Sequence, residues 1–442
     1  MRAVLAVLIL LLAACTPPPR PVVSWQPCGD GLECATVTVP LDWSAPAGAT
    51  IELAVARLPA AAGDRLGALF VNPGGPGRSG VEALRNRGRE LAALGGDRFD
   101  VVSWDPRGST ITCTDAESTP LPEDVAQRCG VFHGELLAHV SSTASARDLD
   151  HLRAQMGDRQ LTFYGESYGG FLGQVYANLF PARVRAMVLD GPPDPVAVAA
   201  GAEERLAASM TDARAVFDEF IRLCRAAGCP LTEQTLPDVL SATPIGALTY
   251  RDTLVATYSA LQTPRRWPDL ARGLAAAADG DGRLLLSQAR RWWPQSTAEV
   301  TPAAAISCLD SPAQVSASTA AARLDQFRAV DPVSGPLLTW WQWAPCASWP
   351  VRGADVYAGP WSAVTPNPVL VVGTTLDPVT PYRDAAAVAQ LLGKATLLTH
   401  VGYGHPAVSD PSACVTATVR SYLVDLQVPA TVCHADRVPF RG

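Results

Sequence analysis

Two spacings of apolar residues divide the first half of the chain into strands and helices. Between residues 35 and 58 apolar and polar positions alternate among β-branched residues, which predicts opening antiparallel strands. Ala68–Asn72 and Phe99–Trp104 are largely apolar runs, typical of strands buried on both faces. Helical spacing follows over Val81–Leu94 and again over Thr143–Met156. Strands and helices therefore alternate in this region.

The alternation continues through a sharp strand–turn–helix pattern at Leu161–Phe180 and a further strand at Val184–Leu189. This order is typical of a parallel sheet with helices on both faces. From about Pro195 to Trp349 the stretches are alanine-rich and helical, without a convincing buried strand. Strands resume at Pro368–Gly373 and Ala395–His400, and a last helix is predicted over about 412–426.

The predicted fold is therefore α/β, a mostly parallel sheet flanked by helices with an inserted helical cap. Its first sheet part covers residues 25–194, the cap 195–349 and the second sheet part 350–442. The 442 residues are 48% hydrophobic with a mean hydropathy of +0.12, which favours a well-packed globular protein. A net charge of −7 without a basic cluster argues against nucleic acid as a partner.

The N-terminal residues predict export. Arg2, the apolar stretch Ala3–Leu12 and the small residues before Cys15 make residues 1–14 a signal peptide, too short for the roughly 20 residues of a membrane span. The sequence Leu12–Cys15 resembles the lipobox of bacterial lipoproteins, which implies lipidation of Cys15. Residues 15–24, rich in proline, would then tether the domain to the membrane. The alternative is an ordinary secretory signal and a fully secreted protein.

Ten cysteines remain after Cys15, an even number that favours disulfides in an exported chain. Proximity in sequence pairs them, as a hypothesis, as Cys28–Cys34, Cys113–Cys129, Cys224–Cys229, Cys308–Cys346 and Cys414–Cys433. No C-x-x-C pair supports the competing interpretation, a zinc site.

The turn of the central pattern, Gly165-Glu166-Ser167-Tyr168-Gly169, has the G-x-S-x-G spacing that exposes a serine above a sheet. Alone it is a weak signal, because small-residue turns after strands are common. An activated serine also needs a base and a group that orients the base, in the chain order Ser, Asp, His. Asp377 and His405 each follow a predicted strand at the edge where open parallel sheets place their sites.

Other acids and histidines fit less well. Asp105 follows a strand but precedes the serine, and Arg107 offers it a structural ion pair. His400 falls within a predicted strand, and His434 adjoins Cys433 near the C-terminus.

The reaction also needs two backbone N–H groups aimed at the oxyanion. Tyr168, directly after the serine, supplies one, and the loop Asn72–Gly77 supplies the other. Because proline has no N–H, Gly74 or Gly75 must donate, and Gly75 is favoured. Such a mechanism requires neither a cofactor nor a metal.

Five motifs in this order carry a family resemblance: NPGGPG at 72–77, DPRG at 105–108, YGESYGG at 164–170, GTTLDPVTP at 373–381 and GYGH at 402–405. The chain resembles the secreted tripeptidyl-aminopeptidase branch of the α/β-hydrolases, relatives of the proline iminopeptidases. The resemblance implies a serine exopeptidase that releases short peptides from free N-termini. It makes Ser167 the nucleophile, His405 the base and Asp377 its orienter.

An aminopeptidase also has to bind a substrate ammonium group, which requires carboxylates. Glu166, Glu203, Glu204 and Asp310 are candidates, and Thr380 could bond Asp377 or line the cleft. Two other functions stay open: an esterase or lipase on the same fold, and a non-catalytic surface lipoprotein that binds ligands in the tryptophan-rich cap. The sequence does not settle the oligomeric state.

Overall fold

The computed structural model describes residues 23–111, 113, 122–292, 297–311, 317–339, 344–347, 349–409 and 412–441. The predicted signal peptide, Cys15 and most of the tether lie outside these ranges. Within them, no helix is long and apolar enough to cross a membrane.

A ten-stranded sheet runs through the molecule in the order β1-β2-β3-β5-β4-β6-β7-β8-β9-β10. The first three pairings of this order are antiparallel, and all later ones are parallel. The predicted α/β fold is thus confirmed. The strands are β1 Gln26–Pro27, β2 Glu33–Pro40, β3 Thr50–Leu58, β4 Gly67–Asn72, β5 Phe99–Trp104, β6 Leu161–Glu166, β7 Val184–Asp190, β8 Val369–Leu376, β9 Ala395–Tyr403 and β10 Val432–His434.

The central strands lie between two layers of helices. Every residue of β4, β5 and β6 is buried, as their apolar runs predict. The helices are α1 Gly80–Leu94, α2 Pro122–Leu137, α3 Ser142–Gln155, α4 Tyr168–Leu179, α5 Pro195–Ala200, α6 Ala202–Ala226, α7 Thr235–Ala242, α8 Tyr250–Leu261, α9 Trp267–Ala278, α10 Arg283–Trp292, α11 Thr297–Asp310, α12 Ala317–Val330, α13 Ser334–Leu338, α14 Ala344–Ala347, α15 Tyr382–Leu391 and α16 Ala413–Asp425.

Between β7 and β8 the regular elements among the described residues are helices, apart from an isolated bridge between Ile245 and Leu248, and residues 349–368 form an irregular segment that leads to β8. Helices α6 to α10 and α13 enclose a hydrophobic cluster of their own, which includes Phe220 and Trp267. These helices have a separate core because each presents an apolar stripe that the sheet does not cover, whereas buried residues of α11 such as Ile306 join the cluster of the sheet. We refer to residues 195–349 as the cap.

Strands β8 and β9 extend further than the apolar runs predict. The prediction ended β9 at His400, but the strand continues to Tyr403 because its later residues still pair with β8 and β10. Strand β8 likewise reaches Leu376 and not Gly373. The extensions place Asp377 directly after β8 and His405 two residues after β9. Both residues thus lie at the carboxyl edge of the sheet.

Five disulfides are present, between the pairs that proximity in sequence suggested. They indicate an oxidising, extracytoplasmic compartment.

The prediction of an ion pair between Arg107 and Asp105 is wrong. Arg107 pairs instead with Asp148 of α3, with both side chains fully buried. Asp105 accepts hydrogen bonds from the Ser79 hydroxyl at 2.7 Å and the Val81 N–H at 3.1 Å. Helix α3 packs close enough to β2 for Arg107 to reach Asp148 and the carbonyl of Leu41 together, a contact that sequence order does not reveal.

Candidate active site

Ser167 forms the apex of a sharp turn between β6 and α4. Its φ of 56° and ψ of −121° lie outside the conformations that an ordinary residue adopts. A Cβ on Gly165 would lie 2.4 Å from the carbonyl oxygen of Gly169, and one on Gly169 would lie 2.5 Å from that of Asn72. Both glycines are therefore required for the tight approach of the backbone, as the G-x-S-x-G spacing predicts.

The predicted acid and base form a buried pair. Nδ1 of His405 lies 2.7 Å from Oδ2 of Asp377. The other oxygen of Asp377, Oδ1, accepts the N–H groups of Val379 at 2.8 Å and Thr380 at 3.0 Å. With these two bonds the carboxylate is fixed where it favours the tautomer of His405 that has its proton on Nδ1, which leaves Nε2 as the acceptor that the predicted base requires.

The charge around His405 favours its protonated form. Burial would lower its pKa, but the charge and hydrogen bond of Asp377 outweigh burial, and Asp190 and Glu166 add to them, so the pKa of His405 is raised above 6.5. A stronger base accepts a proton from a serine hydroxyl more readily.

Thr380 lies inside this group. Its N–H donates to Asp377, and its hydroxyl lies within reach of two acceptors for its one proton, the carbonyl of Gly191 at 2.9 Å and Oδ2 of Asp377 at 3.2 Å. The same hydroxyl lies 3.1 Å from Nδ1 of His405. Of the two roles considered for Thr380, bonding of Asp377 is the one that these contacts favour.

The backbone at Asp190 and Gly191 joins the serine to the histidine. The N–H of Ser167 donates to the carbonyl of Asp190 at 2.8 Å. A Cβ on Gly191 would lie 3.2 Å from Cε1 and Nδ1 of His405, so the imidazole packs against this glycine. Ser167 and His405, the predicted nucleophile and base, therefore flank the same two residues of the sheet edge.

The loop after β4 packs against the serine turn. A Cβ on Gly74 would lie 2.5 Å from the carbonyl of Glu166 and 3.3 Å from the Tyr168 nitrogen. The N–H of Gly74 already donates to Oδ1 of Asn72 at 3.0 Å. This bond favours Gly75 over Gly74 as the loop donor. Tyr168 is the first residue of α4, where a backbone N–H has no partner within the helix.

The carboxylates predicted to bind the substrate amine differ in surroundings. Glu166 is buried, and its two oxygens accept from Nη1 and Nη2 of Arg87, each at 2.9 Å. The prediction for Glu166 is therefore wrong: the residue faces α1 below the turn, where a structural ion pair occupies both oxygens. The side chains of Glu203 and Glu204 lie outside the described residues.

Asp310, the last residue of α11, is buried where the cap meets the serine helix. Its oxygens accept from the backbone N–H of Ser142 at 2.9 Å and from the Ser142 hydroxyl. That hydroxyl lies 2.5 Å from the Tyr168 phenol oxygen, so the phenol donates to it. Burial raises the pKa of Asp310 to about 7, despite the bonds from Ser142. Asp310 thus reaches Tyr168 through a single serine.

The turn between α8 and α9 holds the histidine loop from the cap side. The His405 N–H donates to the carbonyl of Gln262 at 2.9 Å, and Nη2 of Arg265 donates to that of Ser409 at 3.0 Å. The ring of Trp267 packs edge-on against Tyr403, with 5.4 Å between centroids. The cap therefore fixes the position of the predicted base.

Sequence reasoning missed Asp190 and Arg87. Asp190 ends β7 at the same carboxyl edge that identified Asp377, so the edge rule could have found it. No sequence signal connects Arg87 to Glu166, because they meet only when α1 packs on the sheet. Among the described residues, no group of three or more His, Cys, Asp or Glu side chains could hold a metal ion.

Comparisons with known proteins agree with this geometry. A family model described as "alpha/beta hydrolase fold" matches residues 67–222, and one described as "TAP-like protein" matches residues 332–434. The serine protease Hip1 of Mycobacterium tuberculosis is 33% identical over 92% of this chain and 89% of its own length. The chain belongs to the TAP-like α/β-hydrolases. It is a serine hydrolase.

Other relatives in this family carry different names. Carboxylesterase B of Mycobacterium tuberculosis is 33% identical over 94% of this chain and 91% of its own length. Tripeptidyl aminopeptidase of Streptomyces lividans is 28% identical over 92% of this chain and 85% of its own length. Among solved structures, proline iminopeptidase of Mycobacterium smegmatis matches with a TM-score of 0.45 and 16% identity, covering 88% of this chain and 97% of its own.

Proposed function

We propose that this TAP-like hydrolase is a serine exopeptidase that releases short peptides, tripeptides in the first instance, from free N-termini. His405 takes the proton of Ser167 as the serine attacks the peptide carbonyl, and then gives that proton to the amine that departs when the C–N bond breaks. His405 next takes a proton from water, which attacks the acyl-enzyme, and returns it to Ser167 as the N-terminal peptide is released. The observation that carries the proposal is the 2.7 Å contact between His405 and Asp377 beside the strained serine. This pair supplies the oriented base that a serine nucleophile needs.

The oxyanion would be held by the N–H groups of Gly75 and Tyr168. The bond from Gly74 to Asn72 supports this choice, because it leaves the next amide of the loop to face the substrate. The Tyr168 N–H also lies at the positive end of the α4 dipole, which adds to the stabilisation of a developing negative charge.

Of the predicted amine-binding carboxylates, we favour Asp310. Its link through Ser142 to Tyr168 supports a place close to the nucleophile. Both oxygens of Asp310 accept from the uncharged Ser142, whereas those of Glu166 already pair with the Arg87 guanidinium, so the charge of Asp310 is available for a substrate ammonium group. Glu203 and Glu204 are further candidates for this role.

The site of action would be the outer face of the membrane. The L-A-A-C sequence supports lipidation of Cys15, with residues 15–24 as the tether. A Cys15→Ala variant that still partitions with membranes would contradict the lipid anchor.

The test is a substrate panel on the wild type beside Ser167→Ala. Free-amine tripeptide anilides, their N-blocked counterparts and simple acyl esters are compared by kcat/KM, and Ser167 is labelled with a fluorophosphonate probe. We expect hydrolysis of the free-amine tripeptides above all, and loss of both activity and labelling in Ser167→Ala. His405→Gln should lose activity as well, whereas His434→Gln, an exposed histidine near the C-terminus, serves as the matched control.

The panel also decides between peptidase and esterase. An esterase is the second candidate, because the relative named carboxylesterase B is as similar to this chain as Hip1, at 33% identity. Activity on acyl esters without activity on free-amine peptides would replace the peptidase by an esterase. A wild type that hydrolyses nothing and does not label would favour the binding lipoprotein.

A further inference from the structure

Asp190 contacts both Ser167 and the loop that carries His405, although it is not part of the predicted triad. We propose that Asp190 is a positioning residue that holds Ser167 with its backbone carbonyl and the His405 loop with its carboxylate. The inference rests on the proposed roles of Ser167 and His405. It goes beyond them by assigning the alignment of nucleophile and base to one residue of β7.

The backbone of Asp190 fixes the serine. Its carbonyl accepts the Ser167 N–H at 2.8 Å, a bond made to a residue with a φ of 56°. The next residue, Gly191, donates its N–H to the carbonyl of Val372 at 3.0 Å, which ties this edge to β8. Because these atoms lie at the ends of adjacent parallel strands, the position of Ser167 is fixed relative to the sheet.

The side chain of Asp190 fixes the loop that carries His405. Oδ1 accepts the N–H of Ala407 at 3.0 Å, and Oδ2 accepts that of Val408 at 3.2 Å. Oδ2 also accepts the phenol proton of Tyr164 at 2.8 Å. The carboxylate is only 2% exposed, so water cannot replace a lost donor. Movement of the loop away from β7 would therefore leave the buried carboxylate without two of its hydrogen-bond donors.

The charged groups around this pair come from three directions. Strand β6 contributes Tyr164 and Glu166, the latter paired with Arg87 of α1, and the loop after β8 contributes Asp377. From the described residues of the His405 loop, 404–409, the backbone N–H groups of Ala407 and Val408 reach Asp190.

Burial raises the pKa of Asp190 to about 6, against the bonds from Tyr164 and Ala407, and the charge of Asp190 raises the pKa of His405. The protonations of Asp190 and His405 are therefore coupled.

The main test is Asp190→Asn, which keeps the shape and one acceptor but removes the charge. We expect kcat to fall roughly 10- to 100-fold with little change in KM, because nucleophile and base are no longer aligned. In the pH profile of kcat/KM, the fall in rate at low pH (the acid limb) should move to lower pH, since His405 loses a neighbouring negative charge. The acid limb should also become shallower, since one titrating group disappears.

The matched control is Asp158→Asn. Asp158 is a half-buried carboxylate whose pKa burial also raises, and it accepts the Ala68 N–H at 2.8 Å. It lies at the amino edge of the sheet, opposite the site, so its loss should affect stability but neither kcat nor the acid limb.

A second variant, Tyr164→Phe, keeps the carboxylate and its bonds to the loop. Loss of the phenol donor should raise the pKa of Asp190 further, so the acid limb should move to higher pH while the activity plateau is retained. The two variants thus shift the limb in opposite directions, a result that general destabilisation does not produce. Tyr164→Phe also decides the question if Asp190→Asn does not fold.

Labelling of wild-type Ser167 by a fluorophosphonate separates this inference from the choice of substrate, because the probe needs only an activated serine. Slower labelling of Asp190→Asn than of Asp158→Asn supports the inference for a peptidase and an esterase alike. Equal labelling rates and coincident acid limbs for these two variants, or an unshifted limb in Tyr164→Phe, would overturn it. Absence of wild-type labelling would overturn the proposed function, and this inference with it.

Discussion

Replacement of Gly404 by alanine tests whether the cap positions the predicted base. Gly404 has a φ of +89°, and a Cβ there would lie 2.7 Å from both the Gln262 carbonyl oxygen and Cδ of Pro264. An ordinary contact is about 3.5 Å, so the loop or the cap turn has to move by roughly 0.8 Å. Neither neighbour is the end of a flexible side chain, and the displacement therefore falls on the backbone.

The displacement reaches His405 directly. The His405 N–H donates to the same Gln262 carbonyl at 2.9 Å, and the Gly404 N–H donates to the Leu376 carbonyl at 3.0 Å, one residue before Asp377. A misplacement of about 1 Å in a catalytic group costs on the order of 100-fold in rate. We therefore expect kcat/KM of Gly404→Ala to fall about 100-fold, or about 2.7 kcal/mol of activation free energy.

The control for this variant is Gly280→Ala. Gly280 has nearly the same backbone strain, with a φ of +88°, but a Cβ there meets nothing within 4 Å. Both variants should lose about 1–3 kcal/mol of stability in thermal unfolding. Only Gly404→Ala should lose hydrolysis of a free-amine tripeptide anilide. A kcat/KM within about threefold of that of Gly280→Ala would refute the role of the cap contact.

Three further substitutions test other parts of the site. Asp377→Asn removes the charge that holds the Nδ1 proton of His405, so kcat should fall about 10⁴-fold with the fold intact; a loss below about tenfold contradicts the triad. Burial raises the pKa of Asp310 from 3.8 to about 7, so the folded wild type gains stability from a bound proton below about pH 4 and loses it as pH rises to about 7. Asp310→Asn should therefore gain stability relative to the wild type as pH rises from about 4 to about 7 in urea unfolding, and a pH-independent difference would count against the buried carboxyl. Glu166→Gln should lower the free energy of unfolding by roughly 1–3 kcal/mol, because Arg87 loses a charged partner, without raising KM for free-amine peptides; a rise in KM confined to those peptides would restore the amine-binding role.

The sequence by itself determined the sheet, the serine turn and the positions of the predicted acid and base. These features depend on local chemistry: glycines on either side of Ser167 permit the close backbone approach that its turn needs, and apolar runs end at Gly373 and His400, shortly before Asp377 and His405. The cysteine pairs expected from proximity also rest on short separations, from 5 to 38 residues. Where the signal is local, the spacing of residue types is enough.

Only the tertiary structure decided which distant groups meet at the site. Glu166 and Arg87 are separated by 79 residues, and Asp190 is separated from Ala407 by 217. Gln262, in the cap turn, accepts a hydrogen bond from His405, which also lies far from it along the chain. Such contacts depend on how helices pack on the sheet and on how the cap returns to it. No spacing along the chain specifies that packing, because each apolar face could be buried against several partners.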